Sequence, residues 1–382
     1  MPHRILQPTQ ASSWRRIVVL GLVLASILTL TASFSGAKPV KQINAALAGN
    51  SPRELRVPQD FPTIQKAVEA AQPGDLITIA EGVYREYVTI TKPLTLQTDR
   101  SNYVLIVNPP DFKPRSTVLI CNAQGVVLSG LKVTHNAIPP WAAIAVEAGP
   151  PGSLTAMTLK QVHAFGAHGG GIRMGFATLE DELPRECRPS GSRGRVDVTI
   201  SDSLLDGNPW AGIYVEGGIA PESTLTVENS SIVRNGMGIG SLSGGARLAG
   251  LTVQHSMIAE NKNVGGGLAS LGALRVEKLI LQDNAIIRNS SGVYVSAGSA
   301  ELQRNLIWQN EGVGVLIDAP AFRPSIFDLR DNIIRENVGC GVQLQIIPNV
   351  IPRVTGSNNE IAGNQAGDLC PADFAWPEGF KK

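Results

Sequence analysis

A parallel β-helix is the fold class that this 382-residue sequence predicts, and three observations predict it. The first is an asparagine that returns at Asn208, Asn235, Asn261, Asn289, Asn310, Asn337 and Asn364, in steps of 27, 26, 28, 21, 27 and 27 residues. The second lies just ahead of each asparagine. An aliphatic residue stands three positions earlier (Leu205, Ile232, Ile258, Ile286, Ile307, Ile334, Ile361) and a small polar residue five positions earlier (Ser203, Ser230, Ser256, Asn284, Asn305, Asn332, Asn359). The third is a glycine and an aliphatic residue a few positions after most of them, as in Gly212-Ile213, Gly238-Ile239, Gly292-Val293, Gly314-Val315 and Gly341-Val342. A period of this length fits a leucine-rich repeat, a short helical repeat or one coil of a parallel β-helix. No unit carries a 3.6-residue apolar period over ten residues, and the leucine-rich consensus is missing. The segments VDVTI, TLTV, GIYV, GVYV and GVGVLI are short, alternating and β-branched, which reads as three short strands per unit joined by tight turns.

At the N-terminus Arg15-Arg16 precede an uncharged apolar run, Ile17 to Phe34, and Ser35-Gly36-Ala37 fits a signal-peptidase site before Lys38. A signal peptide over 1–37 is expected, or an uncleaved anchor, since the run is long enough for one. No cysteine lies near the site, which argues against a lipoprotein. Either way the body is expected to be exported, to the periplasm, the cell surface or the medium. Residues 38–55 read as a linker. Pro62 to Ala71 reads as a short capping helix with Ile64, Ala67, Val68 and Ala71 on one face and Pro73-Gly74 ending it. A helix there covers the open edge of the first coil.

The solenoid is expected over 56–370, in ten to twelve coils. Val133 with Asn136, and Val162 with Phe165, keep the column in earlier coils without the asparagine ladder. From Phe165 to Asn208 is 43 residues, and removing the polar stretch Leu179 to Gly194 restores 27, which makes 179–194 an insertion loop. The segment 371–382, PADFAWPEGFKK, is expected to fold over the last coil. The repeated asparagines are assigned a structural role: left-handed corners, and an amide ladder along an axis where coils repeat about every 4.8 Å.

Composition sets further bounds. With 33 basic and 32 acidic residues there is no electrostatic case for nucleic acid or an anionic membrane surface. Membrane contact is expected only through an uncleaved N-terminal segment, and the body is expected to be a monomer. Four cysteines in an exported chain permit disulfides, Cys340 with Cys370 across stacked coils and Cys187 of the insertion with Cys121, and both pairings stay open. No Cys/His spacing resembles a zinc site and no Asp-rich nonapeptide marks calcium coils, so no metal or cofactor is expected.

The block VPQDFPTIQKAVEAAQPGDLITIAEGVYREYVTITKPLTLQ (Val57 to Gln97) resembles the opening of pectin-lyase-fold proteins, especially pectinesterases and the NosD-like right-handed β-helix group. The unit DNxIxxNxxxGV resembles the generic right-handed β-helix repeat. The resemblance spans about Val57 to Cys370 and implies an all-β, single-stranded, right-handed solenoid with its short N-terminal capping helix. It implies little about activity, because lyases, hydrolases, esterases, epimerases and non-catalytic binders share that fold. The pectinesterase "GxVDFIFG" strand and "QDT" segment are absent, as are "NTD", "DD" and "RIK" of polygalacturonases and "DPH" of alginate epimerases. Ala167-His168-Gly169 only faintly echoes "GHG". No catalytic residue carries over.

A site is still placed by alternation. In each G-I-x-V strand the position after Ile and the position after Val point outward. The outward pairs are Ala145/Glu147, Arg173/Gly175, Tyr214/Glu216 and, further on, pairs such as Ala269/Leu271 and Tyr294/Ser296. The first three coils of the series bring Glu147, Arg173, Tyr214 and Glu216 together, with Trp141, His168 and Trp210 in the preceding turns and the insertion overhanging. These seven residues are the candidate substrate-binding set, and Trp141, His168, Arg173, Tyr214 and Glu216 are expected to share one exposed groove under the insertion. Aromatic planes beside carboxylates and an arginine suit a sugar: stacking for the apolar ring face, hydrogen bonds for the hydroxyls. Against this, the tryptophans follow prolines and fit corner packing, and Arg173 between two glutamates fits a surface ion-pair ladder. The expected function is binding, and processing by a lyase- or hydrolase-like reaction, of an extracellular or cell-surface polysaccharide. The alternatives are a non-catalytic scaffold and a NosD-like periplasmic accessory protein.

Overall fold

The computed structural model describes residues 51–99, 103–111, 113–137, 141–175, 187–188, 193–241, 246–262, 271–272, 275–318, 325–345 and 352–380. The expected signal peptide, the linker up to residue 50 and most of the insertion lie outside the described residues. The chain winds as a three-faced parallel β-helix. The second face is a sheet of eleven strands, from Gly82–Arg85 through Leu204–Asp206, Ser231–Val233 and Met257–Ala259 to Glu360–Ala362. The first face starts at Glu54–Val57 and the third at Val88–Ile90. All pairings are parallel and in register from coil to coil, so Leu205, Ile232, Ile258, Ile286, Ile307, Ile334 and Ile361 form one interior row, all buried.

The first and third faces belong to a single 22-stranded sheet, and the 21-residue repeat explains why. The eleven-residue strand Val293–Gln303 runs through both faces without a turn. It pairs with Val315–Asp318 on one face and Ile326–Arg330 on the other.

The polar corners show how a solenoid buries amides. Each ladder asparagine donates its backbone and one side-chain N–H to Oδ1 of the next asparagine, at 2.8–3.1 Å. Its second side-chain N–H donates to the carbonyl of the preceding coil's aliphatic residue, as Asn261 does to Ile232 at 2.9 Å. The row begins where Asn208 Oδ1 accepts from Ala167 N and ends where Asn364 donates to Asp368 Oδ1. A second ladder, Asn284, Asn305, Asn332 and Asn359, lines the other corner of the second face. The asparagines are not the left-handed residues, which corrects the expectation. Positive φ falls one position earlier, at Arg234, Glu260, Arg288, Gln309 and Glu336 (52 to 57°), and the asparagine side chain secures the corner from the next position.

Both ends are covered. The helix spans Ile64–Ala70, shorter than expected because Pro62 and Thr63 form its entrance. The Thr63 hydroxyl accepts from Lys66 N, and Glu86 accepts from the backbone N–H groups of Ile64 and Gln65 at 2.9 and 2.8 Å. Beneath it, Asp75 accepts from Arg53 and from Gln72 N, and the guanidinium beside it holds its carboxyl down at about 2. At the other end Trp376 and Phe380 are buried against the last coil. A Cβ at Gly356 would lie 2.3 Å from the Phe380 ring, so the tail requires a glycine there. Two disulfides form, Cys121–Cys187 and Cys340–Cys370.

The strand after Asn261 departs from the expected register. Leu271 stands in register with Ile239 and Val293, three positions away from the outward row of Ser296 to which it was assigned. Ala269 lies outside the described residues.

Candidate functional site

On the third face Leu119, Ala145, Arg173 and Tyr214 align in one outward row, and Cys121 and Glu147 in the next. Glu216 follows the strand Ala211–Val215 and donates its N–H to Met174 O at 2.8 Å. Outward is not exposed here. Leu119, Cys121, Ala145 and Cys187 form a small apolar cluster of their own, separate from the core. Cys187 of the insertion is bonded to Cys121 here, and Ala145 and Glu147 are both completely buried.

The seven candidate residues therefore separate into layers rather than sharing one exposed groove. Trp141, Glu147 and Arg173 are buried, at 5, 0 and 7 % exposure. Tyr214 and Glu216 are half-buried, while His168 and Trp210 are exposed, Trp210 at 41 %. The corner-packing reading holds for Trp141 and fails for Trp210. The rings of Trp210 and Tyr214 meet edge to face, 6.2 Å between centroids. His168 lies in the turn where Gly169 N donates to Trp141 O at 3.0 Å.

Arg173 is the centre of the cluster. One terminal nitrogen, Nη2, pairs closely with Glu147 Oε1, its Nε lies 3.9 Å from Glu216 Oε2, and its Cζ lies 5.4 Å from the Trp141 ring centroid. This is no exposed ion-pair ladder, since removing one partner would leave a buried charge. Two donors of the cluster remain unsatisfied among the described residues: Arg173 Nε and Trp141 Nε1 are both buried without a hydrogen-bond partner. Burial pushes the Glu216 carboxyl up, opposed by Arg173, reinforced by Glu147 and opposed again by Arg193. Arg193, at the end of the insertion, lies against Gly218, where a Cβ would come within 2.9 Å of its Cδ.

The structure adds a residue that sequence reasoning missed. His135 is fully buried, and burial, with His168 near, lowers its imidazole to about 4. Thr117 Oγ1 donates to Thr134 O at 2.8 Å and lies 3.1 Å from His135 Nδ1. With its one hydroxyl proton used, Thr117 leaves Nδ1 as the donor of that pair. The signal was three consecutive polar residues, Thr134-His135-Asn136, at a corner where the later coils keep one buried asparagine. Asn136 itself is exposed.

Chemically the site is a buried Arg–Glu pair overlaid by a partly exposed carboxyl and an aromatic ledge. The ledge suits a sugar ring face and the polar layer suits hydroxyls. A carboxyl whose proton is retained above the usual range can donate to an oxygen. Among the described residues no group of histidine, cysteine and acidic side chains has the geometry to hold a metal ion.

Residues 190–370 match the family described as "Right handed beta helix region". The fold resembles the A-module of an Azotobacter vinelandii mannuronan C-5 epimerase at 15 % identity and TM-score 0.48, over 80 % of this chain and 92 % of that one. It also resembles the pectin methylesterase of Aspergillus niger at 12 % identity and TM-score 0.36, over 83 and 89 %. A third resemblance is to the GH136 lacto-N-biosidase of Eubacterium ramulus at 11 % and TM-score 0.42, over 78 and 62 %. No curated protein matches the sequence. The chain is a right-handed parallel β-helix repeat protein.

Proposed function

We propose that the protein is an exported β-helix that binds an extracellular or cell-surface polysaccharide on the third face, with Glu216 placed to exchange a proton with the bound sugar. The observation that carries this reading is the aromatic ledge of Trp210 and Tyr214 beside Glu216 and above Arg173. Sugar rings stack on such a ledge, and the neighbouring groups can donate to and accept from hydroxyls. Export is supported by Arg15-Arg16, the run Ile17 to Phe34 and Ser35-Gly36-Ala37, and by four cysteines joined in two disulfides, which persist in oxidising compartments. Mass spectrometry of the native protein should find an N-terminus at or near Lys38, or an intact chain in the membrane fraction if the segment stays as an anchor. An intact chain in the cytoplasm rejects export.

A non-catalytic scaffold is the second reading, and the Glu147–Arg173 pair favours it, because a pair buried this deeply lies out of reach of a ligand. A glycan-array screen of the mature protein, followed by lyase and hydrolase assays on every hit, separates the two. Glu216→Gln should keep binding and abolish turnover if the carboxyl transfers a proton. If no glycan binds the wild type, the scaffold reading stands.

A further inference from the structure

Arg173 stands between two carboxylates and its geometry satisfies one of them. Glu147 lies on the strand of the coil before it and Glu216 just past the strand of the coil after it. The Nη2 side of the guanidinium is committed to Glu147, and the Trp141 ring lies against Cζ. Toward Glu216 the arginine presents Nε, buried and without a hydrogen-bond partner, across 3.9 Å from Oε2. That gap is too long for a direct hydrogen bond.

We propose that Glu147 is a positioning residue: by holding Arg173 it keeps the guanidinium from closing on Glu216 and leaves Glu216 as the proton-exchanging carboxyl. The proposal rests on the glycan reading only for the use of that carboxyl. The charged groups acting on Glu216 are Arg173, Glu147 and Arg193. Of these, Glu147 raises its carboxyl and the two arginines lower it. Glu147→Gln removes the raising charge and releases Arg173 toward Glu216, so both consequences push Glu216 in one direction, down.

The test needs no ligand. Carbon-13 NMR of the full mature chain, with glutamate labelled and Glu216 assigned by difference from Glu216→Gln, tracks its titration in wild type and Glu147→Gln. The midpoint should lie above the usual glutamate range in the wild type and fall by about one pH unit or more in the variant. An unchanged or raised midpoint overturns the proposal. Loss of the charge alone would lower it too, so the positioning role is read from Glu147→Asp, which keeps the charge, shortens its reach and should lower the midpoint by a smaller amount. No shift there overturns the proposal equally. A downward shift in a protein that binds no glycan rejects the glycan reading alone, whereas glycan binding with no shift rejects the positioning role alone.

Discussion

The coils before Asn208 and those after it solve the same problem in different ways. After Asn208 every corner amide finds its partner in an identical residue one coil on, to the end of the row at Asp368. The outward side chains there also pair with their neighbours, as Tyr294 does with Asp318 at 2.7 Å. Before Asn208 the corner holds His135 and Thr117, an insertion is bonded across the outer surface, and Arg173 and Trp141 keep buried donors without acceptors. Repetition satisfies polar groups because each copy brings the complement of the last. Where the repeat changes, complements no longer come automatically, and groups are left unsatisfied. That is why chemistry is to be sought in the irregular coils.

The comparison is broken most forcefully from the regular side. Asn261→Leu removes the acceptor of Asn235 and the side-chain donors to Asn289 and Ile232 in a fully buried corner. It should cost on the order of 3–5 kcal/mol, read as a lower urea midpoint. Asn136→Ala, at the equivalent place in an early coil, should cost less than about 1 kcal/mol because that residue is exposed. Equal losses would mean that the ladder is not what distinguishes the two regions.

Ligand binding sharpens the contrast. Trp210→Ala should weaken glycan binding by about 1–2 kcal/mol at an unchanged melting temperature. Tyr294→Ala/Asp318→Ala, on later rungs of the same face, should leave it alone. Cys187→Ser should reduce binding and Cys370→Ser should not, since only the first releases the insertion. If the later-coil variants lose as much, the groove has been placed on the wrong coils.

Acid gives a smaller effect. Asp75 and Asp283 are both held down to about 2 by arginines, so each adds stability above its unfolded value of about 4, lost as pH falls toward 2. The Asp75 side chain is 5 % exposed and that of Asp283 26 %, so solvent screens the second pair more. Asp75→Asn should therefore cost more at pH 7 than Asp283→Asn, by about 1 kcal/mol, and thermal melts should show the difference vanish near pH 2. Glu216 runs the other way. Its raised carboxyl favours the folded state at low pH, and that contribution is lost as pH rises through its midpoint.

The least effect belongs to a corner. Glu260 holds φ at 57° and pairs with Arg288 across 3.0 Å at the surface. Glu260→Gly should raise stability by less than about 1 kcal/mol, since glycine meets no steric cost there and the lost ion pair is worth little. A clear fall in the melting temperature would show that the pair outweighs the strain.

Much of the fold was legible because its information is written in columns: one isoleucine position stacks as one interior row, and both cysteine pairings left open at the start are those that form. Three things were not legible. The left-handed residue was placed on the asparagine because composition favours it, whereas the backbone turns one residue earlier and accepts arginine, glutamate or glutamine. The register at Leu271 was off by three positions, as expected for a glycine-rich stretch that specifies register weakly. At the site, alternation told which side chains point outward but not that outward positions there are covered. Glu147 and Arg173 thus stand in outward rows and are nevertheless buried.

A row of identical amides keeps no record of position. Any ladder asparagine accepts what the one before it offers, so a whole coil can be copied or deleted between Asn208 and Asn364 without leaving a bond unmade. The coil of 21 residues shows that even the perimeter is negotiable, provided the corner returns. Direction is not negotiable. From amide to amide the row donates toward the C-terminal end, where an aspartate, which when ionised can only accept, receives the last pair of N–H groups. A gene for such a chain can therefore lengthen or shorten by slippage among its central units, while Asp368 and the covered end beyond it stay as the stop.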